Sequence, residues 1–114
     1  MEIEDLLGRF PALIRIWSAK LEGKTIASVL LFALNRNICN TFYICSRASH
    51  REFHGVTVLL AEAADVLARR GFRYLDLGTS ASSAHFNKGV VQFKESLGAR
   101  PFCRDRWRWK NRAV

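Results

Sequence analysis

The spacing of apolar residues changes along this chain, and each change marks an element. Residues 2–9 read as a short helix or an arm, closed by Pro11. Residues 12–22 alternate, with Leu13, Arg15, Trp17 and Ala19 on one side and Ile14, Ile16 and Ser18 on the other, which predicts a strand. Glu22-Gly23-Lys24 predicts a turn, with Gly23 free to take a positive φ. Residues 25–35 begin with β-branched side chains and predict the hairpin partner. Asn35-Arg36-Asn37 is a second turn, and residues 38–46 are a third strand, completing an antiparallel meander. The period then lengthens. Val56, Leu59, Leu60, Ala63 and Leu67 form one stripe, with Glu62, Asp65, Arg69 and Arg70 off it, so residues 55–70 predict an amphipathic helix ended by Gly71. Residues 72–77 predict a strand closed by Gly78, parallel to the strand before the helix. After a small-residue loop, Thr79–Ala84, residues 86–97 predict a second helix with Phe86, Val90, Phe93 and Leu97 on one face and Gly98 at its end. Residues 99–110 alternate again, Arg104, Arg106, Arg108 and Lys110 against Cys103, Asp105, Trp107 and Trp109, and predict a last strand. The order is β-β-β-α-β-α-β, an α/β fold with a mixed sheet.

Composition narrows this picture. The chain has 114 residues, 49% of them hydrophobic, which is enough for one domain with its own core. A charged fraction of 25% with only 7 Gly and 2 Pro excludes disordered and collagen-like chains. Cys39, Cys45 and Cys103 make an odd count without a Cys-x-x-Cys pair, and His50, His54 and His85 complete no metal-ligand spacing. The expectation is a cytoplasmic protein with buried free thiols and no metal. Met1-Glu2-Ile3-Glu4-Asp5 is acidic where a signal peptide is basic, and the apolar run Ile26 to Leu34 is too short to span a membrane. The net charge is +8, and residues 99–114 hold five of it: Arg100, Arg104, Arg106, Arg108, Lys110 and Arg112 against Asp105. That end suits nucleic acid or an acidic partner, or it is a solvated strand face. Trp107 and Trp109 read as core or interface anchors, or as a base-stacking platform.

Three segments resemble the GNAT acyltransferase superfamily, nearest its FemAB-like or acetyltransferase 6 branch. They are Arg70-Gly71-Phe72-Arg73-Tyr74-Leu75-Asp76-Leu77-Gly78, then Phe93-Lys94-Glu95-Ser96-Leu97-Gly98-Ala99, then the register of Asn87, Val90, Phe93, Leu97 and Gly98 along the last helix. From about residue 12 the chain looks like the C-terminal two-thirds of such a domain. Residues 1–11 are all it offers for the family's first strand and two helices. The resemblance therefore implies a truncated, GNAT-like domain over residues 12–114, preceded by an arm or helix at 1–11.

The resemblance also implies a ligand, an acyl-CoA. Its pantetheine arm would enter between the parallel strands 38–46 and 72–77. Its pyrophosphate would meet the N-terminus of the next helix, near Arg47, Arg51, His54, Gly55 and Val56, with Gly55 allowing a close backbone approach. Asn87 would contact the cofactor. Two departures stand out. The family's phosphate loop reads here as Glu52-x-x-Gly55-x-Thr57, with an acid at its first position, and Lys94 stands where many relatives have a tyrosine acid. Lys94 and Asp76 are the catalytic candidates. Plainer roles compete with these: a helix-start polar residue for Asn87, a solvated side chain for Lys94, a buried hydrogen bonder for Asp76 and a surface or capping residue for His54. The implied function is acyl-CoA-dependent N-acyl transfer, or its remnant. The alternative is a non-catalytic homodimeric module that binds nucleic acid or an acidic partner through its basic last strand. A strand edge carrying two tryptophans favours a homodimer in either case, with the partner covering that edge or the truncated N-terminal one.

Overall fold

The computed structural model describes residues 2–82 and 85–111. Ser83 and Ala84 of the small-residue loop, and Arg112 of the basic end, lie outside the described residues. Helix α1, Glu2–Arg9, carries Glu2, Glu4 and Asp5 in its first turn and Arg9 in its last, in line with the helix dipole. Strands β1 (Ile14–Leu21), β2 (Lys24–Ala33) and β3 (Ile38–Ser46) form the expected antiparallel meander. Glu22 and Gly23 both take positive φ, 51° and 79°, as a two-residue turn between right-twisted strands requires. The next turn is held by Asn35, whose Oδ1 accepts the amides of Asn37 at 2.8 Å and Ile38 at 2.9 Å.

Helix α2, Gly55–Arg69, follows a short 3-10 segment, Ala48–Phe53. Its stripe of Leu59, Leu60, Ala63 and Leu67 is buried against Ala27, Val29, Leu31 and Cys39 of the sheet. Trp17 and Ala19 of β1 close the rim of that core, whereas Leu13 and Arg15, read on the same side, are exposed and Ile14, read on the other, is buried. Gly71, at φ 93°, ends the helix. Strand β4, Tyr74–Asp76, returns parallel to β3, giving the sheet order β1-β2-β3-β4. Two residue pairs, Ala81–Ser82 (β5) and His85–Phe86 (β6), make a small separate ladder before helix α3, Lys88–Ser96.

Three expectations are corrected. Residues 99–111 form no strand. The edge open to them is β4, three residues long. A ladder that short offsets little of the roughly 1–2 kcal/mol per residue needed to order a chain, and four cations at alternate positions repel one another. One of the two edges on which a dimer contact was expected, the last strand, is therefore absent. In α3 the buried position is Val91, while Phe86 precedes the helix and is 62% exposed. Of the cysteines, Cys39 is buried, but Cys45 and Cys103 are exposed. Among the described residues, no helix is long and apolar enough to cross a membrane.

Candidate ligand cleft

A mismatch in length creates the site, because β3 has nine residues and β4 three. They pair at Ile38–Tyr74, Cys39–Leu75 and Asn40–Asp76, and pairing then stops. Thr41 sits at the fork, its Oγ1 donating to the Asp76 carbonyl at 3.2 Å. Beyond it, Thr41–Ser46 of β3 has no strand on that edge among the described residues. The register against β2 jumps at the same place: Leu31 faces Thr41 and Leu30 faces Tyr43, leaving Phe42 as an extra residue. Such a bulge bends its strand and sharpens its twist, which carries β3 away from β4.

A cleft of about 590 Å³ opens at the end of β3. Ser46 and Ile26 form its floor. His50 and Arg51 of the 3-10 segment and the first turn of α2 form one wall, and Gly89, Val90 and Phe93 of α3 form the other. Two features shape the first wall. His54 adopts a left-handed conformation, φ 53° and ψ 41°, which turns the chain from the 3-10 segment into α2. No side chain caps α2, so the first-turn amides of Gly55, Val56 and Thr57, which have no intrahelical acceptor, border the cleft. They lie at the positive end of a 15-residue helix.

Gly55 is fixed by packing. A Cβ there would sit 2.9 Å from Ala27 Cβ and 3.3 Å from Ile26 Cδ1. A bulge in β2 accounts for the crowding. Ala19 faces Ala27 and Lys20 faces Thr25, so Ile26 is the extra residue. Both Ile26 and Ala27 are buried, 6% and 2% exposed, and both reach the start of α2. The close approach expected of Gly55 is therefore made to the sheet.

Four of the residues named from sequence meet in the cleft: Arg51, His54, Gly55 and Val56. The other four stand elsewhere. Arg47 is turned back to the β1–β2 hairpin, its Nε donating to the Thr25 carbonyl at 2.8 Å. Asn87 caps α3, its Oδ1 accepting the Val90 amide at 3.1 Å, which is the helix-start role. Asp76 Oδ1 accepts the Gly78 amide and Oδ2 accepts Arg104, each at 2.8 Å. Burial alone would raise its pKa, but the Gly78 amide, Arg104 and Asn40 outweigh it and hold the carboxyl below the usual carboxylate range. Lys94 Nζ donates to the carbonyls of Gly78 at 3.1 Å and Thr79 at 3.2 Å and to Ser80 Oγ at 2.9 Å. Partial burial pulls its pKa below the usual ammonium range, with Asp76 pulling the other way. With three acceptors, Lys94 ties α3 to the loop after β4, and so positions the wall that holds its neighbour Phe93. Sequence reading missed Ile26, Ser46, His50 and Gly89, and it quoted Thr57, Val90 and Phe93 in the family's motifs without naming them as site residues. The signal that could have found Ser46 is position alone, since it ends β3.

The acetyltransferase (GNAT) domain family model matches residues 2–108. Two solved structures share the fold. One is the aminoglycoside antibiotic 6'-N-acetyltransferase AAC(6')-IG from Acinetobacter haemolyticus, with a TM-score of 0.68 at 16% identity over 96% of this chain and 77% of that one. The other is the aminoglycoside acetyltransferase meta-AAC0020 from an uncultured soil metagenomic sample, in complex with sisomicin, with a TM-score of 0.65 at 10% identity over 96% of this chain and 73% of that one. Among curated protein sequences, none matches this chain significantly.

Proposed function

This chain belongs to the acetyltransferase (GNAT) domain family, and on that premise we propose that it binds an acyl-CoA in the cleft at the start of α2 and passes the acyl group to an amine. One observation carries the reading: Ser46, at the end of the unpaired edge of β3, and the uncapped first turn of α2 line one cleft. The donors there suit a phosphorylated thioester. Free amides at a helix N-terminus and the Arg51 guanidinium complement phosphate oxygens. Backbone groups on the open edge of β3 complement the amides of a pantetheine arm, as an edge strand complements an added strand. Glu52 is exposed and does not line the cleft, so the acid in the loop motif does not oppose an anion inside it.

When bound, the thioester supplies an activated acyl carbon and a thiolate leaving group. The chain's own contribution is to hold and polarise. Amides on β3 between Thr41 and Ser46 orient the carbonyl and stabilise the charge that develops on its oxygen. Arg51 and the α2 amides anchor the distant phosphates, so that binding energy remote from the reacting carbon positions it. The amine enters as its free base, attacks the acyl carbon, the C–S bond breaks, and the proton leaves to water. Lys94 acts by fixing α3 against the β4 loop. The acceptor is proposed only as an amine, since the likeness to the two aminoglycoside enzymes is one of fold.

Titration calorimetry with acetyl-CoA, combined with hydrogen exchange, tests the reading. We expect heat on mixing, slowed exchange over residues 47–57, and an affinity about tenfold weaker in Arg51→Ala, the loss of one charge-assisted contact. No heat and no protection would remove the proposal.

A further inference from the structure

We infer that residues 102–110 form a second binding surface, separate from the cleft, that takes single-stranded nucleic acid. None of these residues borders the cleft. All are exposed and none lies in a helix or strand. Phe102 is 84% exposed, Trp107 90% and Trp109 84%. Aromatic rings this bare lie outside any core and any internal contact, so their surface is available to a ligand. Cations interleave with them. Arg104 is held by Asp76 at 2.8 Å, which roots the segment at the end of β4. Arg106, Arg108 and Lys110 make no side-chain hydrogen bond or ion pair with the described residues.

This pattern matches what an extended polynucleotide offers. When the segment extends along a ligand, side chains two apart lie ~6.6 Å apart, a spacing that successive extended nucleotides can follow. Bases stack on Trp107 and Trp109, and phosphates meet Arg106, Arg108 and Lys110. A duplex hides its base faces and leaves the tryptophans without a role. A bilayer favours a continuous apolar face, whereas here Arg104, Asp105 and Arg106 separate Phe102 from Trp107, and Arg108 separates the two tryptophans. A second copy of the same segment would oppose cation with cation.

Fluorescence anisotropy of a labelled oligodeoxythymidine tests the inference on the full chain. A matching duplex and phosphatidylserine-containing vesicles serve as competitors. We expect the single strand to bind, with log affinity falling against log salt at a slope of about −2 for three phosphate contacts. Trp107→Ala with Trp109→Ala weakens binding roughly tenfold or more and leaves the slope in place. Arg106→Ala, Arg108→Ala and Lys110→Ala together flatten the slope. Both variants keep the far-ultraviolet circular dichroism of the parent, since no core residue changes. The inference is overturned by absence of binding, by equal affinity for the duplex, by binding to vesicles alone, by self-association through the tryptophans in place of binding, or by a tryptophan variant that binds like the parent.

Discussion

Asp76 shows how much one side chain can hold in place. Its two oxygens are spoken for by Gly78 and Arg104, and its backbone carbonyl takes Thr41 at the fork of β3 and β4. Its carboxyl titrates below the ordinary aspartate range. The sign follows from linkage. A carboxylate with a depressed folded pKa contributes stability that is fully present above about pH 4, the unfolded value, and that is lost as pH falls through the lower folded value. Asp76→Asn should therefore be less stable than the parent near pH 7, by about 1 kcal/mol for charge-assisted bonds in a partly solvated place. The gap should close as acid protonates the parent. Urea midpoints of the two proteins between pH 7 and pH 2 check this, and a gap of constant size would assign the loss to packing. Lys94 and Asn87 teach a related lesson. Both are polar residues beside a cleft, and both spend their donors and acceptors on α3 and the loop before it. A sequence gives the same letters for a ligand contact and for the cap that positions its neighbour.

At the scale of elements, what is periodic was legible. The alternation over residues 12–22 marks β1, Ile14–Leu21, residues 38–46 form β3 over the bounds expected, and the stripe from Leu59 to Leu67 predicts the buried face of α2. Bulges escaped because an inserted residue leaves no mark on such a pattern: Asn-Thr-Phe-Tyr-Ile around Phe42 reads like any strand. Yet the bulge at Phe42 coincides with the fork, and the one at Ile26 crowds the start of α2. The segment 99–110 shows the converse, since its alternation is real but a strand also needs an edge to join. Gly55 lies where the two kinds of information meet. It was legible as a position that needs a glycine, but not what approaches it. Gly55→Ala places a methyl 2.9 Å from Ala27 Cβ, so either the helix start moves off the sheet or β2 gives way. We expect a loss of about 1–3 kcal/mol, the usual cost of overpacking. Gly55→Ala combined with Ala27→Gly should recover part of it in thermal unfolding, because the second change removes the atom that is struck. Equal Tm for the single variant and the parent would mean that α2 does not start against β2 as described.

The whole molecule divides into a packed body and an extended end. Its radius of gyration is 16.6 Å and its longest axis 63 Å, whereas a compact chain of this length has a radius of about 13 Å. The core and the apolar side chains packed on it end at Leu97, and from Pro101 to Asn111 every residue is exposed. A chain ending after Arg100 therefore keeps its whole core. It keeps the Ala99 amide on the Lys94 carbonyl at 3.2 Å, which closes α3, and loses one described ion pair, Arg104 with Asp76. Arg104 is 76% exposed, so that pair is worth about 1 kcal/mol or less. Since 1 kcal/mol moves the Tm of a domain this size by about 4–8 °C, the shortened chain should unfold cooperatively within that margin of the parent. Its radius in small-angle scattering should fall by several ångströms toward the compact value. It should retain whatever acetyl-CoA binding the full chain has, because the β3 edge and the first turn of α2 are untouched, and lose binding to oligodeoxythymidine. A shortened chain that fails to fold would show instead that residues 101–114 pack on the body in solution, and the open edge of β4 is where they would have to add.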